Sequence, residues 1–208
     1  MFAKLTALMA PAGARPGEVA QKPSVFHAPF RDRVGVLDRD PYLCVADIDR
    51  GIISVFDDLK YDRADLDALS GPMRSRALTK LTPLGFRQVS GHRFENADED
   101  IKIHLPKFRA LGASPFDAMH ELELRAQDFA ILTPTQTACQ FIDAYPIEDA
   151  VERIKELMSK HPINLLRIFD FLERKPAHEA FRETVGHLKF VQRTAVEAEP
   201  LRSRRALR

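Results

Sequence analysis

Ala64-Asp65-Leu66-Asp67-Ala68-Leu69 is the stretch on which the expected fold and site depend. It reads as a short strand, ended by the turn-forming run Ser70-Gly71-Pro72. Side chains in a strand alternate between its two faces, so the carboxylates of Asp65 and Asp67 are expected to point the same way. Mg²⁺ prefers carboxylate and phosphate oxygens as ligands. The stretch therefore predicts a binding site for a divalent metal ion together with a nucleoside triphosphate.

Further elements are predicted on both sides of this stretch. The apolar run Tyr42-Leu43-Cys44-Val45-Ala46 predicts a buried strand. The other elements predicted up to residue 105 are a short helix at 52–59, a helix at 74–81 and strands at 87–89, 92–95 and 101–105. Ser90-Gly91 joins the first two of these strands as a hairpin. Mixed strands with interleaved helices indicate an α/β or α+β core.

The strand predicted at 101–105 places a histidine away from the core. Its isoleucine and leucine residues alternate and face the core, so Lys102 and His104 share the other face. We therefore expect His104 to reach the same cleft as Asp65 and Asp67.

The C-terminal third is predicted to be helical. One stripe of a helix over 147–158 is apolar and consists of Ile147, Ala150, Val151, Ile154, Leu157 and Met158. His161-Pro162 ends this helix, Asn164 caps the next one, and a last helix starts near Ala177. Such stripes are typical of packing faces, so a helical cap on the sheet is expected.

Composition narrows the function classes. The chain has 208 residues, of which 45% are hydrophobic, enough for a full core. It has 31 Lys and Arg against 30 Asp and Glu, so no overall field favours nucleic acid or a membrane surface. No apolar run reaches the roughly 20 residues of a transmembrane helix. Two cysteines, Cys44 and Cys139, do not suggest a disulfide framework, which favours a cytoplasmic location.

The order of these pieces resembles small bacterial nucleotidyltransferase-fold proteins, in particular the minimal and the abortive-infection toxin-type members. The resemblance is carried by Asp62-Arg63-Ala64-Asp65-Leu66-Asp67, Leu84-Gly85-Phe86-Arg87, His92-Arg93-Phe94 and Leu132-Thr133-Pro134-Thr135-Gln136. It implies a mixed sheet with flanking helices and a helical C-terminal region. It also implies Mg²⁺-dependent transfer of a nucleotide from a nucleoside triphosphate to an RNA, protein or small-molecule acceptor, and a partner protein.

The resemblance assigns roles to individual residues. Asp65 and Asp67 match the acidic pair that holds Mg²⁺, and His104 stands where the family has a third acid, as a weak ligand or base. The residues expected to contact the nucleotide are Gly51, Ile52, Lys60 and Arg63.

Several positions depart from the family pattern. One glycine survives in the phosphate turn Asp49-Arg50-Gly51, and the carboxylate of Asp49 would repel a triphosphate. His104 brings no negative charge, and neutral imidazole suits zinc, copper or iron better than Mg²⁺. Cys139, Gln140 and Phe141 replace a polar set that the family often has. The departures leave a second function open, in which the fold persists as a catalytically inactive binding or partner-recognition module.

A second acidic pair is an alternative candidate for the metal-binding site. Asp47 and Asp49 have the same spacing and follow the apolar run at 42–46. This pair ranks second, because Asp65 and Asp67 are better placed relative to Gly85-Phe86 and Ile103-His104.

The sequence predicts four regions. Residues 1–33 form a flexible segment rich in proline and glycine, 34–130 an α/β core, 131–192 a helical region packed on the core, and 193–208 a basic tail. The arginines of the tail are Arg202, Arg204, Arg205 and Arg208. They form either a solvated end or a phosphate contact for an RNA partner.

Overall fold

The computed structural model describes residues 29–56, 69–106 and 123–198. Its strands are β1 (Leu43–Asp47), β2 (Ile52–Val55), β3 (Arg87–Ser90), β4 (Arg93–Asn96), β5 (Ile101–His104) and β6 (Phe129–Leu132). Its α-helices are α1 (Phe30–Arg33), α2 (Gly71–Leu81), α3 (Pro134–Ala144), α4 (Ile147–Lys160), α5 (Leu165–Arg174) and α6 (Val185–Ala198). Two longer 3₁₀ segments lie at Val34–Arg39 and Pro176–Thr184.

The strands form one mixed sheet in the order β1-β2-β6-β5-β4-β3. Strands β2, β6 and β5 run parallel to one another, and the other three pairings, β1 with β2, β5 with β4 and β4 with β3, are antiparallel. Every residue of β2 and β6 is buried, as expected for parallel strands covered on both faces. The sheet with its helices confirms the predicted α+β class.

Two apolar cores lie on opposite faces of this sheet. On one face, helices α3 to α6 pack over β1, β2 and β6, with Ala130 and Leu132 supplied by the central strand. On the other face, α1, the following 3₁₀ segment and α2 pack over all the strands except β3, with Phe129 and Ile131 from the same central strand. Alternate residues of β6 therefore join both cores, and the molecule has three layers.

The helix predicted at 52–59 is wrong where the structure describes it. Ile52–Val55 is strand β2, which follows the tight turn at Gly51 and pairs with β1 on one side and β6 on the other. Ile52, Ile53 and Val55 are β-branched and nearly inaccessible to solvent, which suits a buried strand. A short apolar run has no period that separates the two structures, so its neighbours determine its conformation.

The region boundaries also shift. Order begins before Val34, because α1 inserts the fully buried Phe30 into the core beside α2. Strand β6 crosses the boundary drawn after residue 130, and α6 continues to Ala198, beyond the boundary drawn after residue 192. Two predicted helix ends are confirmed, since α4 stops at Lys160, with His161 as its C-cap, and the Asn164 side chain caps α5.

None of the helices in the described ranges is both long and apolar enough to span a bilayer.

Candidate functional site

His104 is the predicted site residue that the structure describes most fully. It ends β5, where it pairs with Arg93 of β4 on one side and with Ala130 of β6 on the other. Residues in β5 alternate between buried and half-buried, so His104 and Lys102 share one face, as predicted. This is the face that helices α3 to α6 cover further along the sheet, because Ala130 belongs to their core.

Burial keeps the His104 imidazole neutral, and one of its ring nitrogens has no hydrogen-bond partner. Its Nε2 atom is buried and has no hydrogen-bond partner. Burial lowers the pKa of His104 below its usual value, and the nearby cations Arg93 and Lys102 lower it further, while Asp128 acts in the opposite direction. A buried polar atom without a partner is uncommon in a native protein and calls for an explanation, such as a ligand.

A group of charged side chains surrounds His104 on the same sheet face, which we call the basic sheet face (Arg87, Arg93, Glu95, Lys102 and His104). Cross-strand pairing places Glu95 between Arg87 and Lys102. The Nε atom of Arg93 lies 3.2 Å from Oε1 of Glu95. The core under α3 to α6 takes its strand residues from β1, β2 and β6, so this half of the sheet lies beside that core.

The basic sheet face carries more positive than negative charge. Three cations and one carboxylate give it a formal charge of +2. The side chains of Arg87 and Lys102 make no hydrogen bond or ion pair within the described ranges. They are therefore available to a ligand that brings negative charge.

Asp128 fixes the position of β5 beside β6. Its carboxylate accepts the backbone N–H of Lys102 at 2.9 Å, two guanidinium N–H groups of Arg125 at 2.9 and 3.0 Å, and the Arg125 backbone N–H at 3.3 Å. Burial alone would raise the pKa of Asp128, but these hydrogen bonds outweigh it and lower the pKa. Asp128 therefore remains ionised and holds the strand that carries Lys102 and His104.

The turn at Gly51 does not offer free backbone N–H groups for phosphate. The N–H groups of Asp49 and Arg50 both donate to Oδ1 of Asp47, and that of Gly51 donates to the carbonyl of Ile48. A Cβ added at Gly51 would lie 2.3 Å from the carbonyl oxygen of Asp128, so the turn packs against protein backbone at this point. Gly51 thus lets β2 enter the sheet beside β6, and Ile52 is fully buried in the helical core.

The alternative pair Asp47 and Asp49 does not form a shared carboxylate site. Asp47 is buried at the end of β1, where it also accepts the hydroxyl of Tyr145 and approaches Arg153 at 3.5 Å. Asp49 is exposed on the turn. The period-two rule fails here because the chain leaves the strand after Asp47.

Four predicted site residues lie outside the described residues: Lys60, Arg63, Asp65 and Asp67. The shared cleft of His104 with the acidic pair therefore stays a prediction. Within the described ranges, no group of three histidine, cysteine or acidic side chains is arranged to hold a metal ion.

The cysteines do not supply a nucleophile. Both are buried, and burial raises the pKa of the Cys44 thiol to about 12. Thiolate is the reactive form, so Cys44 is inert at neutral pH.

The sequence reading did not propose Arg87, Arg93 or Lys102 as site residues. Each lies in a predicted strand, and the hairpin at Ser90-Gly91 indicates which strands are neighbours. Cross-strand register was the missing information, because a slip of one residue moves a side chain to the opposite face.

Comparisons with protein-family models, curated proteins and solved structures found no match.

Proposed function

We propose that this protein binds a nucleoside triphosphate by its phosphates at the basic sheet face and transfers the nucleotide to a hydroxyl-bearing acceptor, with His104 as the general base. The observation that carries the proposal is the neutral, half-buried imidazole of His104 on the same strand face as Lys102, whose ammonium group makes no hydrogen bond or ion pair within the described ranges. The acceptor is an RNA, a protein or a small molecule.

Charge complementarity supports phosphate as the group that is bound. The formal charge of +2 on the basic sheet face matches the charge of a terminal phosphate. Arginine forms paired hydrogen bonds with phosphate, while lysine acts as a point charge. Glu95 contacts Arg93 and stands between Arg87 and Lys102 in the sheet, so its carboxylate offsets part of the repulsion among these cations.

The protonation state of His104 supports its role as a base. A histidine whose pKa lies below its usual value is unprotonated at neutral pH and can accept a proton. In the proposed step, the acceptor oxygen attacks the α-phosphorus and a new P–O bond forms. The bond to the bridging oxygen breaks and pyrophosphate leaves, while the hydroxyl proton moves to the imidazole.

The predicted Asp65 and Asp67 pair completes the proposal. Carboxylates are suitable Mg²⁺ ligands, whereas the neutral imidazole of His104 is a poor one, so the histidine is assigned the base and not the metal. When bound, Mg²⁺ would neutralise triphosphate charge.

Binding is tested first by thermal melting and calorimetric titration with each nucleoside triphosphate and Mg²⁺. We expect a triphosphate to raise the melting temperature of the wild type, since a ligand that binds the native state alone stabilises it. Lys102→Gln should reduce this shift. Lys189→Gln is the matched control, because Lys189 is exposed on α6 and has no ion pair in the described ranges. Equal shifts in both variants would contradict binding at the basic sheet face.

Catalysis is tested by transfer from labelled triphosphates to RNA, protein and small hydroxyl acceptors. His104→Gln should reduce turnover by roughly a hundredfold or more, as expected for the loss of a general base, while leaving triphosphate binding in place. His187→Gln replaces an exposed histidine on α6 and should not change turnover. Asp65→Asn together with Asp67→Asn should abolish both turnover and the Mg²⁺-dependent part of the melting shift.

The second candidate function is a catalytically inactive module that binds nucleotide or a partner protein. The turn at Gly51 favours it, because the backbone N–H groups of that turn are used within the protein. A triphosphate-dependent melting shift without transfer to any acceptor, in wild type and His104→Gln alike, would support this module over the enzyme.

A further inference from the structure

A polar cavity lies at the turn between β1 and β2, and we call it the turn cleft. Its volume is about 720 Å³. It is bounded by Asp49 and Arg50 of the β1–β2 turn, by Arg125 and Asp128 before β6, and by Gln140 and Asp143 of α3. This volume lies within the range of about 300 to 1,000 Å³ that small-molecule sites occupy.

The turn cleft is held open by one arginine. Arg31 donates to the carbonyl of Ala126 at 3.0 Å and to the carbonyls of Ile48 and Asp49 at 2.6 and 3.0 Å. Its guanidinium therefore joins the turn to the segment before β6. Since these bonds connect two walls of the cavity, the cavity is formed before any ligand arrives.

Most charges around the turn cleft are already paired. Arg125 is bound to Asp128 and Asp100. Asp143 accepts from Nζ of Lys175 and contacts Nε2 of His178, both at 2.8 Å. These groups form the walls, and their bonds to one another must break before they can bind a ligand.

Two adjacent residues remain available to a ligand. The carboxylate of Asp49 makes no hydrogen bond or ion pair within the described ranges and is exposed. Arg50 donates one N–H to the carbonyl of Ala144 at 3.3 Å and lies over the ring of Tyr145, 5.0 Å from its centroid. A guanidinium has five N–H donors, so donors remain for an anionic group.

The lining of the cleft contains the acids Asp49, Asp128 and Asp143 and the bases Arg50 and Arg125. Arg125 compensates Asp128, and Lys175, from outside the lining, compensates Asp143. One carboxylate and one guanidinium are left, which matches a molecule that carries one charge of each sign.

We propose that the turn cleft is a binding site for a small zwitterion of the amino-acid type, whose carboxylate binds Arg50 and whose ammonium group binds Asp49. The remaining volume, with Gln140 on its wall, receives the side chain. Binding here needs neither nucleotide nor His104.

The test uses the full chain without nucleotide. The common free L-amino acids are added one at a time at millimolar concentration, and binding is followed by thermal melting and by saturation-transfer NMR. At least one amino acid with an uncharged side chain should raise the melting temperature. Acetate and methylammonium, which each carry half of the zwitterion, should not do so at the same concentration.

Two variants locate the binding. Arg50→Gln and Asp49→Asn should each weaken amino-acid binding by roughly tenfold or more, the cost of losing a charge-assisted hydrogen bond. Asp49→Asn removes no contact within the described ranges, so it separates lost binding from lost folding. Arg39→Gln, on an exposed residue before β1, is the control and should bind as the wild type does. The proposal is overturned if no amino acid binds, or if both cleft variants bind as tightly as the wild type.

Discussion

At the scale of single residues, Gly51 determines how β2 enters the sheet. Its φ of +62° is a conformation that residues with a side chain rarely adopt, and its α-carbon faces the backbone at Asp128. The same residue type at position 186 lies in α6 with open space around it. A side chain would therefore be strained at position 51, whereas position 186 has room for one.

This contrast makes a paired prediction. Gly51→Ala should lower the free energy of unfolding by on the order of 2 kcal/mol or more, because the methyl group meets the Asp128 carbonyl and the backbone is strained. Gly186→Ala should raise it by roughly 0.5 to 1 kcal/mol, since alanine is the better helix former. Chemical denaturation measures both values. A Gly51→Ala protein as stable as the wild type would show that the turn can move away from β6.

His104 predicts a pH dependence of stability. Its pKa is lowered in the folded protein, so the unfolded chain takes up a proton near pH 6.5 before the folded chain does. The stability contributed by neutral His104 is therefore full above pH 6.5 and is lost as the pH falls through the folded pKa. Between about pH 7.5 and pH 5, the wild type should lose more unfolding free energy than His104→Gln does. Equal pH slopes in the wild type and in His104→Gln would contradict a lowered pKa for His104.

At the scale of elements, the sequence signals that succeed are local ones. Asn164 caps α5, α4 stops just before His161, and the alternating residues of β5 face where the period-two rule puts them. Each depends on neighbours in the chain. The signals that fail depend on distant partners, as β2 becomes a strand only through β1 and β6.

In the candidate site, too, the features set by neighbours in the chain are predictable from the sequence, while those set by distant strands are not. The face of His104 is predictable from alternation, but its neighbours Arg87 and Arg93 come from the register of two further strands. The role of Gly51 is missed because sequence records the residue and not the carbonyl of Asp128 against which it packs. The spacing of Asp47 and Asp49 suggests two carboxylates on one face, but side chains alternate between faces only within a strand, and β1 ends at Asp47.

The N-terminus of α3 gives a prediction for an element. The Thr133 hydroxyl accepts from Gln136 N–H at 3.2 Å, and the Gln136 side chain accepts from Thr133 N–H at 3.0 Å, all within the protein interior. Thr133→Ala should cost about 1 to 3 kcal/mol, more than an exposed cap, because a buried N–H loses its partner. Thr133→Ser keeps the hydroxyl and should recover most of the loss. Equal losses in both variants would assign the effect to the missing methyl group.

At the scale of the whole molecule, the sheet couples the two cores. Strand β6 supplies Ala130 and Leu132 to the helical core and Phe129 and Ile131 to the opposite core. Neither core can lose its packing without exposing one face of this strand. The predicted division between an α/β core and a helical region therefore describes the order of elements along the chain, while the packing joins both into one unit.

This coupling predicts a single unfolding transition for the described part of the chain. Phe94 lies in the core beside α2 and Phe141 in the helical core, and each is 1% exposed. Replacing either with alanine should cost about 3 to 5 kcal/mol. If the cores are coupled, both variants lower the same transition, and far-ultraviolet circular dichroism and tyrosine fluorescence report one midpoint. Phe190→Ala, at a side chain 68% exposed on α6, should leave that midpoint nearly unchanged. Two separated transitions in Phe94→Ala, with the helical signal surviving the first, would show that α3 to α6 fold without the rest of the sheet.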